Sequence, residues 1–340
     1  MGWKTAGSDN EAIAPYLRDP SITEVMINGA GPVWIERNGQ IQPTNTILDT
    51  ATIELLIERA VAPLGRRIDR SSPMVDARLT DGSRLNAVVP PVAVDGPYVT
   101  IRRFSIRPIA LEEFAPPSVV TTLRWAVATR CNLVVSGGAG AGKTTLLNAL
   151  ASSIADDERV VTIEDAAELN LGINHAVRLE ARPSDNDGVL AVTIRQLVRN
   201  ALRMRPDRII VGEVRGAETL DMLQAMNTGH EGSLSTCHAN SPEDAISRLE
   251  TMVLFDGGTV PLAAVREQIT AAIDMVIHIA RRPGGGRYIT SVTEMRRDKS
   301  RQSGARPHLA QIANEQRLLR LPEVAPRSPD APKPDLQWLN

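Results

Sequence analysis

Apolar positions along this chain fall into two regimes. Up to about residue 108 they come in short alternating stretches broken by turn signals. Val33-Trp34-Ile35-Glu36-Arg37 and Gln40-Ile41-Gln42 flank Asn38-Gly39, the dipeptide of a type I′ hairpin. A second hairpin is expected at Thr80-Asp81-Gly82, joining Val75–Leu79 to Ser83–Val89. Pro90-Pro91 closes that strand and Tyr98–Phe104 supplies another. Between the hairpins Ile53, Leu56, Ile57, Ala60, Val61 and Leu64 keep helical spacing, with Gly65 just beyond as a stop. The pattern predicts a mixed α+β domain over residues 11–108. Residues 109–118, framed by Pro108, Pro116 and Pro117, read as a linker.

From 119 to 298 the pattern changes to short continuous apolar runs separated by helical segments. Leu133-Val134-Val135-Ser136, Arg159–Asp165, Arg208–Glu213, Ser233–Cys237 and Met275–Ala280 read as buried strands, with a helix over Thr144–Ile154 after the first. Asn240/Ser241, Pro242 and Asp244 mark a capped helix start. Alternating strands and helices predict an α/β domain on a largely parallel sheet, with ligands outside the carboxyl ends of its strands. After residue 299 the sequence offers a short helix near Ile312–Leu321. Beyond it, prolines among polar residues predict a disordered tail to residue 340.

Composition narrows the function classes. The net charge is −2 and aromatic residues are 3% of the chain, which argues against a nucleic-acid partner. No run of 18 apolar residues suggests a membrane span, and Cys131 and Cys237 read as reduced, buried thiols. The basic residues number 38 and only four are lysine: Lys4, Lys143, Lys299 and Lys333. Lys143 therefore stands out. It lies in Gly137-Gly138-Ala139-Gly140-Ala141-Gly142-Lys143-Thr144, which fits G-x-x-x-x-G-K-[ST] at every fixed position. Backbone N–H groups of such a loop hold phosphates, and a compact ammonium fits where a planar guanidinium would not. The expected ligand is a nucleoside triphosphate, bound by residues 137–143 with Thr144 and Thr145, and the expected metal is Mg²⁺ on the Thr144 hydroxyl.

Acidic strand ends supply the remaining chemistry. Glu213 ends Ile-Ile-Val-Gly-Glu and is expected to hold Mg²⁺. Glu164 and Asp165 form a second pair, in which one group activates water and Asp165 is also a candidate metal ligand. His230 and His238 bracket a polar segment. With Cys237 they fit no standard zinc spacing and lack a fourth ligand, so sensing of phosphate is the better reading. Arg102 and Arg103 are adjacent on an expected strand and point to opposite faces, so only one can face a nucleotide; Arg84 lies on the neighbouring hairpin.

Four segments occur in a telling order: Ser-Gly-Gly-Ala-Gly-Ala-Gly-Lys-Thr-Thr, Val-Val-Thr-Ile-Glu-Asp-Ala-Ala-Glu-Leu, Arg-Pro-Asp-Arg-Ile-Ile-Val-Gly-Glu-Val-Arg-Gly-Ala-Glu, and Thr-Gly-His-Glu-Gly-Ser-Leu-Ser-Thr-Cys-His-Ala-Asn. Together they resemble the Walker A, Asp box, Walker B and His box of the type II/IV secretion and pilus-assembly ATPases, most closely the CpaF/TadA branch. The resemblance implies a RecA-like P-loop domain over 119–298 with a smaller α+β, PAS-like N-terminal domain. It implies Glu164 as catalytic carboxylate, Glu213 as the magnesium residue, and His230 and His238 as His-box residues. It also implies that Arg102, with Arg103 second, and Arg84 reach the γ-phosphate. Such proteins form homohexameric rings at the cytoplasmic face of the inner membrane, working on an integral-membrane platform protein and, indirectly, on pilins. Two rival readings remain: a DNA-translocating conjugation motor, and a nucleotide-gated scaffold with little turnover.

Overall fold

The computed structural model describes residues 12–37, 39–79, 81–103, 109–182, 190–255, 260–282, 285–297, 304–328 and 331–339. The chain divides into two compact units, Met1–Arg107 and Pro108–Asn340.

The first unit is α+β. Six strands, β1 Ile22–Asn28, β2 Gly31–Arg37, β3 Gln40–Leu48, β4 Met74–Arg78, β5 Arg84–Val88 and β6 Tyr98–Arg102, form one sheet in the order β3-β2-β1-β6-β5-β4. Every neighbouring pair is antiparallel. Both expected hairpin pairings form, with Arg37 opposite Gln40 and Arg78 opposite Arg84. Turn residues 38 and 80 lie outside the described residues, as does Phe104. Two helices accompany the sheet, α1 Ala14–Arg18 and α2 Thr50–Val61. The Asp49 side chain caps α2 by accepting from the Thr52 backbone N–H at 2.8 Å. Ile53, Leu56 and Ile57 of α2 share a core with Val25, Ile35, Leu85, Val99 and Ile101. The strand period of two leaves Thr100 and Arg102 on the other face of β6.

The second unit is α/β. Eight strands, β7 Leu133–Gly137, β8 Val160–Glu164, β9 Ala176–Glu180, β10 Arg208–Val214, β11 Leu234–His238, β12 Met275–Arg281, β13 Arg287–Arg296 and β14 His308–Asn314, lie in the order β14-β13-β12-β7-β11-β10-β8-β9. Pairing is parallel from β9 across to β12 and antiparallel for β13 and β14. Helices are α3 Pro117–Ala128, α4 Lys143–Ala151, α5 Ile194–Ala201, α6 Glu218–Asn227, α7 Pro242–Leu254 and α8 Leu262–Ala272.

The continuous apolar runs have a simple cause: both faces of this sheet are covered. Leu133, Val135, Ile210 and Ile277 pack with Leu123 of α3 and with Leu146 and Leu150 of α4. Their strand neighbours Val134, Ile209, Val211 and Val276 pack on the opposite face, with Val198, Met222, Leu249 and Ile269 of α5 to α8. Among the described residues no helix is long and apolar enough to cross a membrane.

Three expectations are corrected. The proposed linker at 109–118 belongs to the second unit: Leu111 and Phe114 are buried in its first core, and the Ile289 N–H donates to the Phe114 carbonyl at 2.9 Å. The helix expected near Ile312–Leu321 is instead β14, with Ser291 opposite Asn314 and Arg296 opposite His308. The described part of the supposedly disordered tail is ordered by packing. Leu318 and Val324 enter the first core, the Trp125 indole N–H donates to the Pro332 carbonyl at 2.7 Å, and Trp338 meets Trp125 edge-on at 6.1 Å between centroids. Arg327 also reaches the fully buried Asp274 at 2.6 Å. Proline removes backbone donors, but it does not prevent a segment from burying its scattered apolar side chains.

A stability prediction follows from that packing. Trp125→Ala is expected to cost about 3–5 kcal/mol, because a buried indole leaves a cavity and an unpaired carbonyl. Urea unfolding reads this as a lower midpoint. Deleting residues 299–340 should lower the melting temperature further, and an unchanged melt for the truncated chain would contradict the packing role of the tail.

Candidate functional site

The loop after β7 is set by backbone geometry. Gly140 and Gly142 adopt φ of +67° and +97°, a region that side chains with a Cβ rarely occupy. Lys143 opens α4 and folds back over the loop, 7% exposed, its Nζ donating to the carbonyls of Gly137 at 3.3 Å and Gly138 at 3.1 Å. The same ammonium lies 3.6 Å from Glu213 Oε1 and 3.3 Å from His238 Nδ1. Burial lowers its pKa, and the negative charge of Glu213 opposes that shift. Thr144 and Thr145 follow in the first helical turn, both half-buried.

Parallel register brings the acidic strand ends to this edge. β11 lies between β7 and β10, aligning His238 with Gly137 and Cys237 with Val214, and β10 in turn aligns Val211 with Ile163 of β8. Glu213 therefore arrives beside Lys143. Its Oε1 accepts from His238 Nδ1 at 2.5 Å, and its Oε2 accepts from Arg215 at 2.5 Å. Burial pushes the Glu213 carboxyl up, but Arg215, Lys143 and His238 outweigh it and hold the group below its usual range.

Glu164 ends β8 in a different environment. It is 4% exposed and accepts backbone N–H bonds from Glu168 at 2.9 Å and Leu169 at 3.0 Å. Burial dominates and pushes its pKa up to about 7. Gly212 is required beside it, since a Cβ there would stand 2.7 Å from Glu164 Cγ. Asp165, one residue on, is more exposed and lies 3.5 Å from Arg215.

The structure does not gather every candidate. His238 stands at the carboxyl end of β11, whereas His230 precedes the amino end of that strand. Roughly 13 Å of extended strand separates the two ends, so only His238 joins the loop. Arg102, Arg103 and Arg84 belong to the first unit. Arg103 is committed there, donating to the carbonyls of Asp19 and Ile22, the latter at 3.1 Å. Arg102 is more than half exposed, lies 3.7 Å from Glu24, and sits directly opposite Arg84 across β5 and β6. Zinc finds no support: no group of three or more His, Cys, Asp or Glu among the described residues could hold a metal, and both cysteines are free. Thr144, Glu213 and Asp165 present hard oxygens, the donor type that Mg²⁺ would take.

Two residues at the site escaped the sequence reading. Arg215 bridges Glu213 and Asp165, and its only signal was its place two positions after Glu213. Arg287 donates to Thr145 Oγ1 at 3.1 Å from 142 residues away, a relation that no local pattern carries.

A glycine loop feeding a helix, on a doubly covered and mostly parallel sheet with acidic strand ends, defines a RecA-like phosphate-loop fold. The chain belongs to the type II/IV secretion system protein family, whose sequence model matches residues 6–321. A putative conjugal transfer protein of Mycobacterium tuberculosis is 39% identical over 303 residues, covering 85% of each chain. The conjugal transfer protein TrbB of Rhizobium radiobacter is 35% identical over 298 residues, covering 85% of this chain and 88% of the relative. The type IV secretion system protein PtlH of Bordetella pertussis is 34% identical over 307 residues, covering 81% and 90%. Two solved structures share the fold, each at 21% identity and a TM-score of 0.60. They are the Legionella pneumophila ATPase DotB, covering 87% of this chain and 82% of its own, and the pilus retraction motor PilT with bound ADP, covering 82% and 80%.

Proposed function

We propose that this chain is an Mg²⁺-dependent ATP hydrolase that drives a type II/IV secretion or pilus machine. The observation that carries the reading is Lys143 of the phosphate loop lying 3.6 Å from Glu213, with Glu164 at the carboxyl end of β8, which runs parallel to the strand bearing Glu213. Lys143 and the loop N–H groups hold the β- and γ-phosphates, and Thr144 and Glu213 hold Mg²⁺ directly or through water. Bound Mg²⁺ supplies charge neutralisation across the phosphate oxygens. Glu164 accepts the proton as a water oxygen bonds to the γ-phosphorus and the bridging oxygen leaves with ADP. A carboxyl held near pH 7 is matched to that task, since it can take a proton yet is substantially ionised.

Family membership supports the wider setting: a homohexameric ring, peripheral to the inner face of the cytoplasmic membrane, acting on a platform protein. The wording of the four motifs favours the CpaF/TadA branch within it. The names of the Mycobacterium and Rhizobium relatives favour a second reading, a motor for conjugal transfer. Phosphate release by the full chain tests both. Turnover that needs Mg²⁺, stops with chelator and ignores single-stranded DNA supports the first reading. Strong stimulation by DNA supports the second, and no turnover under any of these conditions overturns both.

Gly212 offers a check on geometry. Gly212→Ala is expected to displace the Glu164 side chain and lower turnover by about 10-fold or more, with nucleotide affinity held within about two-fold. An unchanged rate would contradict the close approach of Glu164 to β10.

A further inference from the structure

The phosphate loop has two flanks. β11 supplies His238 on one side. β12 runs along the other, parallel to β7 with His278 opposite Ser136, and its continuation crowds the loop so closely that a Cβ on Gly137 would stand 2.6 Å from the Ile279 carbonyl oxygen. The β12–β13 hairpin therefore ends beside the bound nucleotide expected under the proposed function, on which this inference rests. That hairpin end is strongly basic. Arg281 and Arg287 are directly opposed across it, and Arg282 lies 4.5 Å above the Tyr288 ring.

Arg287 is the one held against the loop itself. Its Cδ occupies the space a side chain at position 142 would need, 2.4 Å from where that Cβ would be. Its guanidinium donates to Thr145 Oγ1 at 3.1 Å. Lys143 marks the β/γ end of the phosphate chain, and the first turn of α4 leads from it through Thr144 to Thr145. Thr145 thus lies toward the α-phosphate. A guanidinium bonded to its hydroxyl would be placed to donate to a non-bridging α-phosphate oxygen.

We propose that Arg287 is a nucleotide-binding residue that grips the α-phosphate, with Thr145 fixing its orientation. Lys143 serves both di- and triphosphates at the β-phosphate. Arg287 adds a contact that ADP and ATP share, and so governs how firmly the product is held.

The test is equilibrium binding of ADP and of the separate Rp and Sp forms of ADPαS to the full chain without metal, so that only protein donors tell the two forms apart. Wild type is expected to prefer one diastereomer. Arg287→Ala should weaken ADP by about ten-fold or more, since a charge-assisted hydrogen bond is lost. Arg287→Lys keeps the charge without the planar fork, and should bring the diastereomer ratio toward unity while keeping the wild-type melting temperature. If the ratio is unchanged in a folded Arg287→Lys protein, Arg287 only packs against the loop and the proposal fails. A wild type indifferent to the diastereomer, or unaltered ADP affinity in Arg287→Ala, overturns it equally. Failure of the underlying reading looks different: wild type would then bind no ADP, or Lys143→Ala would bind it as well as wild type.

Discussion

Lys143→Ala should lower ATP affinity by about ten-fold to a hundred-fold and turnover by about a hundred-fold or more, in a chain that still folds. Lys143 Nζ is the only lysine ammonium of the second unit's loop region and touches Gly137, Gly138, His238 and Glu213 at once. Burial lowers its pKa, so in the folded protein the charge is maintained at a cost that an arriving phosphate repays. Alanine removes both the cation and its desolvation cost, which is why stability should change little while binding collapses. Equilibrium binding of ATP and a thermal melt on the same sample check this. A folded Lys143→Ala protein with near-native affinity would remove the loop from the account.

Glu164→Gln should separate binding from hydrolysis. Nucleotide affinity should stay within about two-fold, while turnover should fall by about 10²–10⁴-fold, the usual worth of a positioned base. The amide oxygen can still accept from the Glu168 and Leu169 N–H groups, so the local turn should survive. Stability gives a second readout. The folded-state pKa of Glu164 is raised from 4.5 to about 7, so its stabilising contribution is complete below pH 4.5 and is lost as pH rises to about 7. At pH 8 wild type bears the full cost of a buried carboxylate and the neutral amide does not. Glu164→Gln should therefore melt no lower than wild type at pH 8. A clear fall in melting temperature there would show the carboxylate to be structural.

How much of this was legible depended on where each signal is stored. The loop from Gly137 to Thr144 is specified by consecutive residues, and β7, β8, β10 and β12 announced themselves because strands covered on both faces are mostly apolar, whereas β11 buries Ser235 and Thr236. β9 is an edge strand with no fully buried residue, and so left no such run. β14 buries only Ile312 and Ala313, which are adjacent, so neither strand nor helix periodicity could reveal it. His230 misled for the opposite reason: nearness in sequence to His238 hides a strand that carries the chain across the sheet. Arg215 and Arg287 were invisible among so many arginines, because what distinguishes them is a partner, not a neighbour in sequence. The tail shows the same limit, since Trp125 and Pro332 are 207 positions apart.

The most direct test of the account is the identity of the nucleotide recovered from the protein after turnover. Wild type and Glu164→Gln, both full-length, would be loaded with Mg²⁺ and ATP, separated from free nucleotide and quenched. The account predicts ADP and released phosphate from wild type, and intact ATP from Glu164→Gln at similar occupancy. Recovery of ADP from Glu164→Gln at the wild-type rate would contradict it.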